Sequence, residues 1–308
     1  MYCPFTGLGN YNGFRGQRWL ENRKKIFWEF VYPSLLAQTS KNFILWISWR
    51  YEDMNNPVVR ELERWLSMFS IRYVFTYSGV CFYDDKYDDD IARERLISSI
   101  HGSMAELLNV MGEAEEIYMT IQPSDDCYHK NAVEGIQRIF TEIPKLQAVG
   151  FSKGYICNYQ TKEVKEYNPQ TNPPFYTIRF KREDFTDPLR HIKYTSLKTD
   201  VGKYKAGTPL PSHEYVKDCL NYGIINERGF LVGVHVENIS TNFNNPFAGE
   251  KVSQIVLKDF GLYDVEPIKI KFSIRKRLLR MLPHKVQRKL RYWFGEILWQ
   301  RFYNFLRG

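Results

Sequence analysis

The sequence lacks any long apolar run, and this absence argues against a membrane-spanning protein. A helix needs about 20 consecutive apolar residues to cross a bilayer, and no stretch of the 308 residues comes near that length. The first residues, MYCPFTGLGNYNGFRGQ, also lack the basic start and apolar core of a signal peptide. We therefore expect a cytoplasmic protein.

Several chemical motifs are missing as well. The sequence contains no G-x-x-x-x-G-K-[ST] phosphate loop and no G-x-S-x-G nucleophile elbow, which argues against P-loop enzymes and α/β-hydrolases. The five cysteines, Cys3, Cys81, Cys127, Cys157 and Cys219, are far apart and include no C-x-x-C pair. This spacing suggests neither a disulfide framework nor a zinc site, and it favours buried thiols.

Basic residues are distributed unevenly along the chain. Residues 269–308 contain twelve Lys or Arg and one acid, Glu296, for a net charge of +11. Residues 1–268 carry 31 basic and 34 acidic residues, a net charge of −3. The basic excess thus belongs to the C-terminal tail, and the overall charge does not indicate a nucleic-acid-binding protein.

The tail has helical spacing that Pro283 interrupts. Apolar residues recur every three or four positions among Lys and Arg: Ile274, Leu278, Leu279 and Leu282, then Val286, Leu290, Trp293, Phe294, Ile297, Leu298, Phe302 and Phe305. Basic amphipathic helices with Trp, Phe and Leu suit an anionic membrane surface. We predict that residues 273–308 dock peripherally on the cytosolic face of a membrane, with packing on the protein's own domain as the alternative.

The rest of the chain predicts an α/β fold. Helical spacing predicts helices over 19–38, 58–69, 91–111 and 131–140, and apolar runs predict strands over 43–49, 73–77 and 116–121. Shorter strands are predicted over 148–158, 163–167, 175–180 and 230–236. This alternation indicates one domain, 1–268, built on an open, mostly parallel sheet flanked by helices, with ligands at the carboxyl ends of the strands.

Two adjacent carboxylates, Asp125 and Asp126, follow the predicted strand 116–121 in the sequence YMTIQPSDDCYHK. Mg²⁺ and Mn²⁺ prefer oxygen ligands and usually keep water or phosphate oxygens in their remaining positions. Carboxylates in a turn after a strand therefore predict a metal-diphosphate site, with His129 as a weaker ligand candidate. The alternative is an ordinary turn or helix cap, which Asp favours without any ligand.

An upstream segment, YPSLLAQTSKNFILWISW at 32–49, together with this motif resembles the nucleotide-sugar-dependent glycosyltransferases of family two. In that family a helix ending in an SLL-x-QT-like stretch leads into the second strand, and a later strand ends in a D-x-D-D-like motif. The segments GFRGQRWLENRKKIFWEFVYPSLLAQ and TNPPFYTIRF are similar to a rhamnosyltransferase-like subgroup. The resemblance spans roughly residues 10–245. It implies a GT-A-like fold, with 1–145 binding the nucleotide sugar and 146–268 facing the acceptor.

The resemblance also implies roles for the carboxylate motif. Asp125 is the expected metal ligand, and Ser124 and Asp126 complete the donor motif. His235, on a later strand, is expected to complete the metal or diphosphate environment, although a lone His on an apolar strand is also an ordinary core residue. The sequence departs from the family at Pro123, where the first Asp of the motif usually stands. This departure weakens the metal assignment and leaves altered donor use or lost activity open.

Three further regions supply candidate site residues. Glu52 and Asp53 in SWRYED resemble in position the family carboxylate that hydrogen-bonds the nucleotide base, with a hydrated turn as the alternative. Glu214 in PSHEYVKDC resembles the acidic base of the family, or else sits in the first turn of a helix, which Glu favours. Asp85, in the run FYDDKYDDD, is a weaker donor-site candidate, because most of these acids suit a solvated helix start.

These features together predict a glycosyltransferase that moves a sugar from a nucleotide-diphosphate donor to a glycan or lipid-linked acceptor. The resemblance implies an inverting reaction, hexosyl or rhamnosyl transfer, and Mg²⁺ or Mn²⁺ as cofactor. Two alternatives remain from the residues: a catalytically degenerate protein that binds sugar or nucleotide, and a metal-dependent nucleotidyltransferase, which also needs paired carboxylates.

Overall fold

The computed structural model of this chain describes residues 1–7, 16–78, 89–169, 173, 175–185, 216–235, 238 and 242–270. The predictions for Asp85, Glu214 and tail residues 271–308 fall outside these ranges. Within them, no helix is long and apolar enough to cross a membrane.

The described strands follow the predicted order, with some additions. They are β1 (Tyr2–Pro4), β2 (Leu45–Arg50), β3 (Tyr73–Ser78), β4 (Glu116–Thr120), β5 (Cys127–Tyr128), β6 (Ala148–Asn158), β7 (Val164–Tyr167), β8 (Tyr176–Lys181), β9 (Tyr222–Val234) and β10 (Ala248–Val252). β1, β5, β10 and the first half of β9 were not predicted. β1 and β5 are too short for a periodic pattern, and the first half of β9 contains the polar run NERG at 226–229, which favours a loop.

The described helices lie between these strands. They are α1 (Gln17–Ile26), a π-helical segment (Phe27–Val31), α2 (Tyr32–Leu36), a 3₁₀ turn (Tyr51–Asp53), α3 (Pro57–Ser67), α4 (Asp89–Met111), α5 (Ala132–Glu142), α6 (Arg182–Phe185), α7 (Val216–Cys219) and a second 3₁₀ segment (Gln254–Phe260). The predicted helix over 19–38 is therefore present, but its centre is π-helical.

The π-helical segment has a physical cause in Pro33. A proline inside a helix removes one amide donor and clashes with the carbonyl four residues earlier, here that of Glu29. Widening the preceding turn to the π form, Phe27–Val31, relieves this conflict, and the chain continues directly into α2.

The sheet is parallel at its amino-terminal end and mixed beyond it. β2 pairs in parallel with both β1 and β3. On the other side of β1, Tyr2 forms an isolated parallel bridge with Ile121, just past β4, and the Gln122 amide donates to the Tyr2 carbonyl at 2.7 Å. β8 is antiparallel to both β4 and β6, and β9 is parallel to β6.

The fold is therefore α/β, with helices flanking a mixed sheet, and it is consistent with the GT-A-like arrangement expected from the resemblance. The mostly parallel arrangement holds for β1 to β4 and for the β6–β9 pair. Antiparallel pairing enters with β8, β7 and β10. Among these pairs, β6 and β7 follow each other in the chain and are joined by the short connection 159–163, as a hairpin requires.

Two apolar clusters cover the faces of the parallel part. The helical stretch of α1 and the π-helical segment packs with α3 and β2 through Leu20, Phe27, Val59 and Leu62, which are fully buried. In the second cluster, Met104 and Leu107 of α4 pack with buried residues of β4 and β8. Burial of this kind fixes α1 against the sheet, and it brings one face of α1 towards the turn after β4.

Candidate functional site

The chain order reverses between β1 and β4. From β1 the chain runs outward through β2 and β3, and it then returns to place β4 on the opposite side of β1. In open α/β sheets such a reversal opens a crevice at the carboxyl ends of the strands, where ligands bind. Three connections meet at this edge: residues 5–7 after β1, 51–53 after β2 and 122–126 after β4.

Asp53 occupies the end of β2 in a buried hydrogen-bonded cluster. The Thr6 hydroxyl donates to Asp53 Oδ2 at 2.6 Å. Arg50 adds two bonds, from Nε to Oδ2 at 3.1 Å and from Nη2 to Oδ1 at 2.8 Å. Asp53 is 1% exposed, whereas the neighbouring Glu52 is exposed to solvent. Of the two predicted base-binding candidates, Asp53 is therefore held in a buried hydrogen-bonded cluster, and Glu52 faces solvent.

Thr6 and Arg50 were missed by the sequence reasoning. Thr6 becomes visible only once Tyr2–Pro4 is recognised as a strand, because it then stands directly after a strand at the ligand-binding edge. The Arg50 to Asp53 spacing, one turn apart, was available in the sequence as a signal for a local ion pair.

Asp125 lies at the end of β4, where two basic side chains meet its carboxylate. Arg23 Nη1 forms an ion pair with Asp125 Oδ2, and His235 Nε2 lies 3.0 Å from the same oxygen. The Tyr159 hydroxyl donates to the Asp125 carbonyl at 3.0 Å. Burial raises the pKa of Asp125, but the charge of Arg23 and the bond with His235 outweigh it and hold the pKa below its ordinary value. Asp125 is therefore an anion at neutral pH.

The Asp126 side chain is buried, and its pKa is shifted in the opposite direction to that of Asp125. Its Oδ1 accepts a hydrogen bond from the Gly233 amide at 2.8 Å, and Gln122 Nε2 donates to its carbonyl at 2.8 Å. Burial and the negative charge of Asp125 raise the pKa of Asp126 well above its ordinary value. The pKa values of the two adjacent carboxyl groups are thus shifted in opposite directions, because Arg23 and His235 contact the Asp125 carboxylate directly, whereas burial and the charge of Asp125 dominate at Asp126.

Gly233 allows β9 to approach the carboxylate turn. A Cβ atom at this position would lie 2.4 Å from the Asp125 carbonyl oxygen and 2.3 Å from Tyr159 Cε2. Since side chains do not tolerate such distances to backbone atoms, only glycine fits here. The amide of this glycine is also the donor to Asp126, so β9 positions both members of the pair.

Arg23 was not identified from the sequence. It lies on α1, 5% exposed, with its guanidinium 5.3 Å from the ring centroid of Trp19. A signal for it existed: Arg23 falls four positions after Trp19 and three before Ile26, on the apolar face of the predicted helix. A cation on a buried face needs an anionic partner, but the sequence does not say which one.

The predicted metal set, Asp125 with His235, does not fit a divalent cation as the side chains stand. Asp125 Oδ2 is already paired with Arg23, whose guanidinium would repel a second cation placed on this carboxylate. Asp126 is turned to the Gly233 amide, and Pro123 supplies no ligand. Within the described residues there is also no group of three His, Cys, Asp or Glu side chains that could hold a metal ion.

The remaining predicted residues fall in different places. Ser124 lies in the turn after β4, partly exposed beside Asp125. His129 does not join the cluster: its ring lies edge-on to Phe260, with centroids 5.6 Å apart, and its Nδ1 accepts from the Asn131 amide at 3.2 Å. Asp85 and Glu214 belong to the undescribed part of the chain.

Comparison with known proteins finds similarities among solved structures. No protein-family model matches the chain, and no curated protein matches it significantly. Among solved structures, the chain is similar to residues 1–349 of TarS from S. aureus in complex with UDP, with 10% sequence identity and a TM-score of 0.37. The match covers 76% of this chain and 60% of that chain. At this level of similarity it assigns no role to any residue.

Proposed function

We propose that this protein is a glycosyltransferase that uses a nucleotide-diphosphate sugar as donor and a glycan or lipid-linked molecule as acceptor. The observation that carries the proposal is the presence of two polar clusters after the strands that flank the β1/β4 reversal. Asp53 with Thr6 and Arg50 lies at one strand end, and Arg23, Asp125 and His235 lie at the other. Such a reversal marks the usual ligand site of an open α/β sheet.

The two clusters suit different parts of a nucleotide sugar. The Asp53 carboxylate is an acceptor for N–H and hydroxyl groups of a base or ribose. The Arg23 guanidinium and the His235 imidazole suit phosphate oxygens, since both donate N–H groups and carry or acquire positive charge. In this arrangement the nucleoside lies over the end of β2 and the diphosphate over the end of β4.

Sugar transfer then requires one bond to form and one to break. An acceptor hydroxyl oxygen attacks the anomeric carbon, the bond from that carbon to the diphosphate oxygen breaks, and the hydroxyl proton passes to a base. Glu214 remains our candidate base, and inversion at the anomeric carbon follows from a single displacement. Ser124 and Asp85 remain donor-site candidates, and rhamnose remains a candidate sugar through the subgroup resemblance alone.

Membrane association is a separate part of the proposal. The basic amphipathic pattern of residues 273–308 supports peripheral docking on anionic lipid at the cytosolic face, which would suit a lipid-linked acceptor. A tail-truncated variant that still binds liposomes of anionic lipid as the full chain does would contradict this part and leave the transferase proposal intact.

Binding of nucleoside diphosphates tests the donor site. We would titrate the protein calorimetrically with the diphosphates of uridine, thymidine, guanosine, adenosine and cytidine, and repeat the titration on Asp53→Asn. Glu52→Gln is the matched control, because it removes the same charge from an exposed neighbour. We expect one or two nucleotides to bind, with a loss of about tenfold or more in Asp53→Asn and no change in Glu52→Gln. Absence of binding to every nucleotide would overturn the proposal.

A second function, nucleotide or sugar binding without turnover, is favoured by one observation. The carboxylate motif carries Pro123 in its first position, where the family usually has an Asp, and its Asp126 is buried and accepts from the Gly233 amide. Release of nucleoside diphosphate from a bound nucleotide sugar, with or without acceptor, separates the two functions. The buried Asp126 also argues against a nucleotidyltransferase, whose metal chemistry needs both carboxylates.

A further inference from the structure

The Asp125 carboxylate, in the turn after β4, is already paired with a positively charged side chain, that of Arg23. Asp125 Oδ2 is shared between Arg23 Nη1 and His235 Nε2, and both partners are buried, with side-chain exposures of 6% and 0%. A carboxylate that binds a divalent cation needs its lone pairs directed at the ion. Here the lone pairs of Oδ2 are directed at a guanidinium and an imidazole.

Arg23 is held in this position by the fold. It lies within α1, whose Leu20 and Ile26 are fully buried. The guanidinium is packed near Trp19. Moving Arg23 away from Asp125 to admit a metal would leave a buried cation without its anion, a costly state in a protein interior. We therefore regard the pair as a permanent part of the site.

The Arg23 guanidinium has an N–H group that its ion pair with Asp125 does not use. Its ion pair uses Nη1, while Nε is buried and has no acceptor among the described residues. Buried donors without a partner are rare in folded proteins and call for an explanation. An anion bound beside Asp125 would supply acceptor oxygens to this side chain, and arginine matches phosphate oxygens with its planar array of N–H groups.

We propose that Arg23 is the resident cation of this site, so that the diphosphate binds without a divalent metal and Asp125 acts by positioning Arg23 rather than by holding an ion. This inference rests on the proposed function, because it concerns how the same crevice binds its nucleotide. Asp125 is therefore a positioning residue, and His235 supports it from β9.

Manganese binding tests the proposal directly, because Mn²⁺ is detected by electron paramagnetic resonance without any turnover. We would titrate Mn²⁺ into the wild type, alone and with the nucleoside diphosphate that binds best, and measure the nucleotide Kd in EDTA and in Mn²⁺. We expect the protein, with or without nucleotide, to bind Mn²⁺ no more tightly than the free nucleotide does. The nucleotide Kd should agree within about twofold between the two conditions, as it must if no metal links the binding partners.

Variants of Arg23 provide the second measurement. Arg23→Gln should weaken nucleotide binding in EDTA by about tenfold or more, and Arg23→Lys, which keeps the charge but not the planar array, by less. Lys25→Gln is the matched control, since it removes a positive charge from the same helix at a position 41% exposed, and it should leave the Kd unchanged. Circular dichroism on each variant checks that the fold is retained.

The outcomes separate the two proposals. Metal-independent nucleotide binding that is lost in Arg23→Gln or reduced in Arg23→Lys supports both. Nucleotide binding that requires Mn²⁺, with Mn²⁺ bound by the wild type and lost in Asp125→Asn, would overturn the resident-cation proposal and keep the glycosyltransferase. Absence of nucleotide binding in either condition would overturn the donor site itself, and with it this inference.

Discussion

Asp53 and Asp125 stand at the carboxyl ends of neighbouring parts of the same sheet, and each is paired with an arginine. Arg50, the partner of Asp53, is three residues away in the chain, and its side chain is 19% exposed. Arg23, the partner of Asp125, comes from a distant helix, and its side chain is 6% exposed. The first pair shapes one turn, whereas the second joins α1 to the turn after β4. The second pair contributes more to the fold because it is more deeply buried and joins residues that are far apart in the chain.

The largest expected effect is the loss of the buried pair. Asp125→Asn should lower the free energy of unfolding by about 3 kcal/mol, since breaking a buried ion pair leaves the other charge uncompensated. Urea denaturation followed by circular dichroism measures this. The double variant Arg23→Gln/Asp125→Asn should recover part of the loss, because it leaves no lone charge; simple additivity of the two single losses would contradict the coupling.

Gly233→Ala should come next. The added methyl meets the Asp125 carbonyl and the Tyr159 ring, so β9 or the turn must shift, and we expect a loss of about 1–3 kcal/mol in the free energy of unfolding. Gly135→Ala is the control, since Gly135 lies in α5. A Cβ atom at this position would have no neighbouring atom within 4 Å. That change should stabilise the protein by about 0.5–1 kcal/mol. Equal effects at the two glycines would argue against close packing of β9 on the site.

Asp53→Asn should have a smaller effect on stability than Asp125→Asn. Its arginine is nearer to solvent and can rehydrate, so we expect a loss of about 1–2 kcal/mol in the free energy of unfolding. Glu52→Gln should change it by less than about 0.5 kcal/mol, as is usual for exposed positions. If Asp53→Asn cost as much as Asp125→Asn in urea denaturation, the contrast between local and long-range pairs would fail.

The pH dependence of stability should separate Asp125 from Asp126. The folded pKa of Asp125 is lowered, so its stabilising contribution is present above the unfolded pKa, near 3.8, and is lost as the pH falls through the folded value. The folded pKa of Asp126 is raised, so its contribution is complete below the unfolded pKa and is lost as the pH rises through the folded value.

Thermal unfolding of wild type, Asp125→Asn and Asp126→Asn between pH 3 and pH 8 measures both contributions, at roughly 1.4 kcal/mol for each unit of pKa shift. The stability advantage of the wild type over Asp125→Asn should shrink towards pH 3. Asp126→Asn, which keeps an acceptor for the Gly233 amide, should gain on the wild type as the pH rises. Parallel curves for all three proteins would contradict the opposite shifts.

Much of the fold was predictable because its longer elements have regular patterns. The helix over 58–69 and the strands over 43–49 and 73–77 agree closely with α3, β2 and β3. β1 was missed, since three residues carry no period, and its absence from the prediction also hid Thr6. The antiparallel β8 was predicted as a strand, but its direction depends on connections that a pattern of apolar residues does not encode.

The candidate site was predicted in part. Asp53, Asp125, Asp126 and His235 were named from the sequence, and the structure brings the last three together. The ion pair of Asp125 with Arg23 was not predicted, because the sequence does not show which charged side chains meet in the fold.

By itself, the sequence determined the alternation of helices and strands, the strand end on which the acidic pair stands, and the separation of a nearly neutral domain from a basic tail. Periodicity and composition are local properties, so they can be read without coordinates. Only the tertiary structure decided that Arg23 pairs with Asp125, that Asp126 meets Gly233, and that β1 separates β2 from β4. These contacts join residues far apart in the chain, and they arise only when burial of the helix faces brings the strand ends and α1 together.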